Sequence, residues 1–140
     1  MREDVFKRLE IEIKKTYYSY ERYKVVSTFV LLHHEKELSV AQLGDFLRIS
    51  DKFVKVDDTR YFIILSFTLE ENASKASQNL LQKLDAFFND RSSFIAINTF
   101  DLSNSPNMLI NKLTQTMAEI QKNQYARIED ESVLSNNLHY

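Results

Sequence analysis

The chain has 140 residues, 44% of them hydrophobic and 12% aromatic, which predicts one globular domain with a substantial core. Its net charge of -2 does not favour nucleic-acid binding, because nucleic-acid-binding proteins usually carry a basic excess. The lack of cysteine excludes disulfides and thiolate metal sites, and no apolar run reaches the ~18 residues of a membrane span. We expect a cytoplasmic protein with no cofactor, no nucleic-acid partner and no membrane insertion.

The first part of the chain predicts a helix, a strand and a second helix. Apolar residues at helical spacing predict an amphipathic helix over residues 3–22. The β-branched, apolar run 24–32 predicts a strand that is buried on both faces. Ser39 and Gln42 have the spacing of a capping box and predict the start of a short helix over about 40–49.

The middle of the chain predicts a hairpin followed by a long helix. Two strand-like runs, 52–57 and 60–67, flank a two-residue tip. Thr68 and Glu71 have the spacing of another capping box, and the clearest helical stripe of the chain then covers about 69–89.

The last part of the chain predicts one more strand and one more helix. Residues 94–100 predict the strand, and Ser105 with Pro106 predicts the start of the helix. Periodicity ends after residue 123, so we expect a single domain over 1–123 and a polar C-terminal tail over 124–140, which is loose or docks only weakly.

The predicted element order defines a fold class. Without the two terminal helices, the order is βαββαβ, the ferredoxin-like arrangement of an α+β protein. We therefore expect an antiparallel sheet with helices packed on one face, together with extra N- and C-terminal helices.

The central segment resembles a known family. Arg48 and Asp51 form an RxxD motif, and five residues separate it from the hairpin segment 57–61, which runs without a gap into the apolar strand 62–65. This order is similar to the centre of GGDEF domains, the bacterial diguanylate cyclases that make cyclic di-GMP. The resemblance extends more weakly from about Phe6 to Asn123 and implies the same nucleotide-cyclase-like core.

The hairpin departs from the pattern of an active cyclase. In the family, two glycines lie against the substrate phosphates, and carboxylates of the hairpin bind magnesium. The degenerate active-site positions of this chain are Asp57, Asp58, Thr59, Arg60 and Tyr61. Because phosphoryl transfer depends on metal ions and positioned charge, these replacements predict a protein that is not an enzyme and has no catalytic residue.

The RxxD motif has two interpretations. In the family it is the inhibitory site for cyclic di-GMP, so the resemblance implies that Arg48 and Asp51 bind this ligand. An arginine can hydrogen-bond phosphate or guanine, and an aspartate can accept from guanine N–H groups. The alternative is structural: Arg48 complements a helix C-terminus, and Asp51 lies in the turn before a strand.

Two further groups of residues stand out. His33-His34-Glu35 suggests a metal site, but adjacent residues of a strand point to opposite faces, which favours a polar strand end. Tyrosine and arginine are enriched at interface hot spots, and a dense cluster of them near the end of the first helix predicts an interaction surface. Its residues are Tyr17, Tyr18, Tyr20, Arg22 and Tyr23. The alternative is that these side chains pack against the edge of the sheet.

Together these observations predict a catalytically inactive, GGDEF-like regulatory or binding module. It would be a cyclic di-GMP receptor that uses the RxxD motif, or a protein-interaction or dimerisation domain without a nucleotide ligand.

Overall fold

The computed structural model describes residues 1–123 and 125–137 as an α+β fold with a mixed sheet. The helices of this part of the chain are α1 (Glu3–Tyr23), α2 (Val40–Phe46), α3 (Glu70–Phe88), α4 (Pro106–Asn123) and α5 (Ser132–Asn137). Its strands are β1 (Thr28–His33), β2 (Lys52–Lys55), β3 (Arg60–Leu65), β4 (Phe94–Asn98) and β5 (Ile128–Asp130).

The sheet has the strand order β2-β3-β1-β4-β5. Neighbours among the first four strands are antiparallel, with Val30 of β1 opposite Ile63 of β3 and Ile97 of β4. This part agrees with the predicted α+β class and is consistent with a ferredoxin-like arrangement. The expectation of a purely antiparallel sheet is wrong, because β5 adds to the edge of the sheet in parallel to β4.

Helices cover both faces of the sheet, which corrects the expectation that they pack on one face. Phe29 and Leu31 of β1 pack in a core with residues of α1 and α4, whereas Val30 and Leu32 pack in a second core with α2 and α3. The predicted burial of β1 on both faces is confirmed. The apolar stripes of α1 and α4 need an apolar surface to pack against, and the face of the sheet that α2 and α3 leave uncovered provides it.

Side-chain caps explain where two of the helices begin. The capping box of Ser39 and Gln42 is present at the start of α2, and the Ser105 hydroxyl accepts a hydrogen bond from the Met108 N–H in α4. The capping box expected at Thr68 is wrong. The Thr68 hydroxyl donates to the Ser66 carbonyl at 2.8 Å instead, and Leu69 is the N-cap residue of α3.

Residues 125–137 belong to the fold, although the sequence predicts a polar tail there. Arg127 forms two hydrogen bonds of 2.9 and 2.7 Å with the Asp85 carboxylate of α3, and its Nε donates to the Ser93 carbonyl. The Glu131 carboxylate accepts from the Thr99 N–H. A strand of three residues is too short to show periodicity, so sequence patterns miss it. Residues 124 and 138–140 of the expected tail lie outside the described residues.

None of the helices in the described ranges combines the length and the apolar character that crossing a bilayer requires.

Candidate functional site

The hairpin between β2 and β3 is closed by one of its own carboxylates. Asp57 Oδ1 accepts hydrogen bonds from the N–H groups of Thr59 and Arg60, at 3.1 and 2.9 Å. Asp57 Oδ2 binds the Arg60 guanidinium, with Nε at 2.8 Å and Nη2 at 2.7 Å. Partial burial opposes ionisation, but these hydrogen bonds hold the pKa of Asp57 below its usual value. The turn is therefore ordered by an internal ion pair.

A buried tyrosine anchors this hairpin to the rest of the protein. The Tyr61 hydroxyl donates to the Leu38 carbonyl at 2.8 Å and accepts from the Leu38 N–H at 2.7 Å. Burial raises the pKa of Tyr61, so the phenol stays neutral. Beside the hairpin, His33 of β1 pairs with Arg60 in the strand register, and the His34 N–H donates to the Thr59 carbonyl. This end of the sheet carries imidazole and guanidinium groups next to the two aspartates of the turn.

The two residues of the RxxD motif bind each other. Arg48 Nη2 lies 2.7 Å from Asp51 Oδ1, and Arg48 Nε lies 3.2 Å from Asp51 Oδ2. The backbone N–H of Arg48 also donates to Oδ2, and the Ser66 N–H donates to Oδ1. Both oxygens of Asp51 are therefore occupied by donors of the protein itself.

The same ion pair connects two turns that are distant in sequence. Arg48 Nη2 also lies 3.0 Å from the Ser66 carbonyl oxygen and 2.7 Å from the Thr68 hydroxyl, so the turn before β2 is bound to the turn after β3. The Asp51 side chain is 3% exposed, and the Arg48 side chain is 53% exposed. This geometry agrees with the structural interpretation of Asp51, and it leaves part of Arg48 accessible.

A serine, a histidine and an aspartate meet at a position that the sequence does not predict. His34 Nδ1 hydrogen-bonds Ser93 Oγ, His34 Nε2 lies 3.9 Å from Asp90 Oδ1, and the imidazole stacks on Phe88. His34 and Ser93 are both fully buried. A nucleophile must reach its substrate, so this trio is a packing arrangement of the core. Burial lowers the pKa of His34 and favours the neutral imidazole.

The tyrosine cluster divides into an inner and an outer part. Tyr17 is half-buried, packs edge-on against Phe29 and donates to the Asn104 carbonyl at 2.9 Å. Tyr20 packs against Phe100, which leaves it only partly exposed.

The outer part is formed by Tyr18, Arg22 and Tyr23, all of which are exposed. The Arg22 guanidinium donates to the Tyr18 hydroxyl at 2.7 Å and lies 5.7 Å from the centre of the Tyr23 ring. Only these three members of the predicted interaction surface are fully available to a partner.

Three carboxylates converge at the opposite end of the sheet from the hairpin. Ligand atoms of Glu70, Asp130 and Glu131 lie within 4.8 Å of one another, beside a cleft of about 810 Å³. Burial and the neighbouring carboxylates raise the pKa of Glu70. Such oxygen donors suit a hard divalent cation. Asp130 and Glu131, however, already accept backbone N–H groups of Ser132 and Thr99. The sequence misses the group because it predicts a tail at 124–140.

Comparison with protein-family models finds no match, and comparison with curated proteins finds no significant match. The resemblance to GGDEF domains therefore stays a prediction from the residues quoted above.

Proposed function

We propose that this protein is a catalytically inactive, GGDEF-like module that acts by binding. The observation that carries the proposal is the closed hairpin, in which the Asp57 carboxylate binds Arg60. A diguanylate cyclase needs that turn to accept phosphates and that region to hold magnesium. Here the Asp57 carboxylate is already compensated by the Arg60 guanidinium, and the exposed Asp58 is the one other carboxylate of the turn. The turn therefore adds negative charge where a cyclase accepts phosphates, and it does not assemble a set of magnesium ligands.

Support for the core of the proposal comes from the chain order of the elements. The RxxD turn, β2, the hairpin and β3 follow one another as the resemblance implies, and β1 to β4 have the expected order. Incubation with GTP and magnesium, followed by chromatography, tests the absence of catalysis. We expect unchanged GTP, and formation of cyclic di-GMP by the purified protein would contradict the proposal.

The version of the proposal that the geometry favours is a protein-interaction module. Its contact surface is the exposed group of Tyr18, Arg22 and Tyr23, in which aromatic rings and a guanidinium lie together outside the core. Such residues contribute much of the binding energy at many interfaces. The partner is a second copy of the chain or another protein.

Light scattering and co-purification test this surface. The double variant Tyr18→Ser/Tyr23→Ser should lose a dimer or a bound partner that the unaltered protein retains. The control is Tyr125→Ser, because Tyr125 is even more exposed than Tyr18 and Tyr23 but lies on another segment. A complex that survives the double change, or that the control disrupts to the same extent, would refute this contact surface.

A cyclic di-GMP receptor is the second candidate. It is favoured by the exposed part of Arg48, which offers a guanidinium at the family's position for this ligand. Binding through Asp51 would first require its bonds to Arg48 and Ser66 to break. Calorimetry with cyclic di-GMP on the unaltered protein and on Arg48→Ala separates the outcomes. Binding heat that disappears in a variant whose circular dichroism spectrum remains that of the folded protein supports a receptor, and no heat with the unaltered protein excludes it.

A further inference from the structure

A small cavity lies between α2, α3 and the sheet. Its volume is about 130 Å³, close to the ~150 Å³ of an apolar cavity that accommodates one benzene molecule. The floor and walls are mainly apolar side chains of β1, β3 and α3 that are themselves buried. These residues are Val30, Ile63, Leu65 and Leu80. The space therefore suits a ligand with a short hydrocarbon body of about four carbons.

One polar group in the wall of this cavity lacks a partner. Ser77 of α3 lines the cavity and is only 2% exposed, and its hydroxyl finds no hydrogen-bond partner among the described residues. Buried hydroxyl groups are nearly always hydrogen-bonded, because an unpaired one retains its full desolvation cost. An occupant that carries a hydroxyl or carbonyl oxygen would satisfy it.

The charges that line the cavity favour an anion. Arg48, Asp51 and Lys83 are the charged lining residues, and the Asp51 carboxylate is already compensated by Arg48. Lys83 is exposed, and its ammonium makes one hydrogen bond, of 3.3 Å, to the Phe46 carbonyl. An ammonium has three donors, so Lys83 retains donors for a carboxylate.

We propose that this cavity binds a short-chain hydroxy- or oxo-carboxylate. The hydrocarbon body would lie among the apolar side chains, the hydroxyl or oxo group would pair with Ser77, and the carboxylate would bind Lys83. The site requires no nucleotide, although it shares Arg48 and Asp51 with the receptor candidate described above.

Methyl-region NMR titration of the unaltered protein tests the ligand class with three probes of similar size. These probes are 3-hydroxybutanoate, butanoate and butylammonium. We expect saturable shifts of Val30, Leu65 and Leu80 methyl groups, with 3-hydroxybutanoate binding roughly two- to tenfold more tightly than butanoate. The proposal would be overturned if butylammonium bound as tightly as the carboxylates. It would also be overturned if neither carboxylate caused a saturable shift, which is the result expected when only water fills the cavity.

Two variants test the roles of individual side chains. Lys83→Gln should weaken both carboxylates roughly two- to fivefold, whereas Lys75→Gln, on the same helix but outside the cavity, should change neither. Ser77→Ala should abolish the preference for the hydroxylated probe and leave butanoate binding intact. That variant removes an unpaired hydroxyl, so it should remain folded. A preference that persists in Ser77→Ala, or equal effects of the two lysine changes, would contradict the assigned contacts.

Discussion

Two Arg–Asp pairs, each three residues apart, lie in the segment that resembles a GGDEF domain, and they differ in what they connect. The Arg48–Asp51 pair binds the Ser66 carbonyl and the Thr68 hydroxyl, which belong to the turn beyond β3. The Asp57–Arg60 pair makes its bonds within one turn. The Asp51 side chain is 3% exposed, whereas that of Asp57 is 43% exposed.

This difference shows that spacing alone does not determine the role of an ion pair. A buried carboxylate that connects two distant turns stabilises tertiary structure, whereas a solvated pair within a turn selects a local conformation. The Arg48–Asp51 pair thus contributes more to tertiary structure, whereas the Asp57–Arg60 pair acts within its own turn.

The largest effect is expected for Arg48→Ala. This change leaves the buried Asp51 carboxylate without its cation, and we expect the free energy of unfolding to fall by about 2–3 kcal/mol. Urea denaturation followed by circular dichroism measures the loss. A change below about 0.5 kcal/mol would show that the pair does not stabilise the two turns.

Tyr61→Phe should cause the next largest loss in the free energy of unfolding. It tests how the hairpin that contains the Asp57–Arg60 pair is attached to the rest of the fold. The Tyr61 hydroxyl adds a long-range attachment of the hairpin, because it bonds both backbone groups of Leu38. Removing it leaves those groups unsatisfied, with an expected loss of about 1–2 kcal/mol in urea denaturation. Stability equal to that of the unaltered protein would mean that another contact anchors the hairpin.

Acid should destabilise the protein through His34. Burial lowers the pKa of His34 in the folded state below 6.5, so the unfolded chain binds more protons as the pH falls. The contribution of the neutral imidazole to the free energy of unfolding should be fully present above about pH 6.5. It should decline as the pH drops from there toward the pKa of His34 in the folded state. Thermal unfolding between pH 5 and pH 8 measures this slope. Burial also lowers the pKa of the partly buried His33, so both histidines should contribute to the slope. Because His34 is the more deeply buried, His34→Gln should remove the larger part of the slope and His33→Gln the smaller part; the reverse pattern would assign the slope mainly to His33.

The smallest effect is expected for Arg60→Ala. Asp57 keeps its bonds to the backbone N–H groups of Thr59 and Arg60, so the turn retains its shape. Exposed ion pairs contribute little, and we expect a loss of at most about 0.5–1 kcal/mol in urea denaturation. A loss as large as that of Arg48→Ala would remove the distinction between the two pairs.

Sequence patterns predicted the elements that have clear periodicity. Helix α1 was expected at 3–22 and lies at Glu3–Tyr23, because its apolar stripe is long and regular. Strand β1 begins at Thr28 instead of residue 24, since Lys24 adopts a left-handed conformation that ends α1. The three residues of β5 contain no repeat that a pattern could detect.

The site was predictable only where its residues are close in sequence. The spacing of Arg48 and Asp51 identified the motif, but it did not indicate that the two side chains bind each other. No local pattern could predict the contact between His34 and Ser93, because 59 positions separate the two residues. They become neighbours only through the pairing of β1 with β4. Contacts of this kind depend on the tertiary fold.

A pair of double-mutant cycles tests most directly whether the two Arg–Asp pairs have different roles. The cycles combine Arg48→Ala with Asp51→Ala, and Asp57→Ala with Arg60→Ala, and urea denaturation measures each free energy of unfolding. We predict a coupling energy of about 1.5–3 kcal/mol for the first pair and below about 1 kcal/mol for the second. Equal couplings, or a larger coupling within the hairpin, would contradict the account.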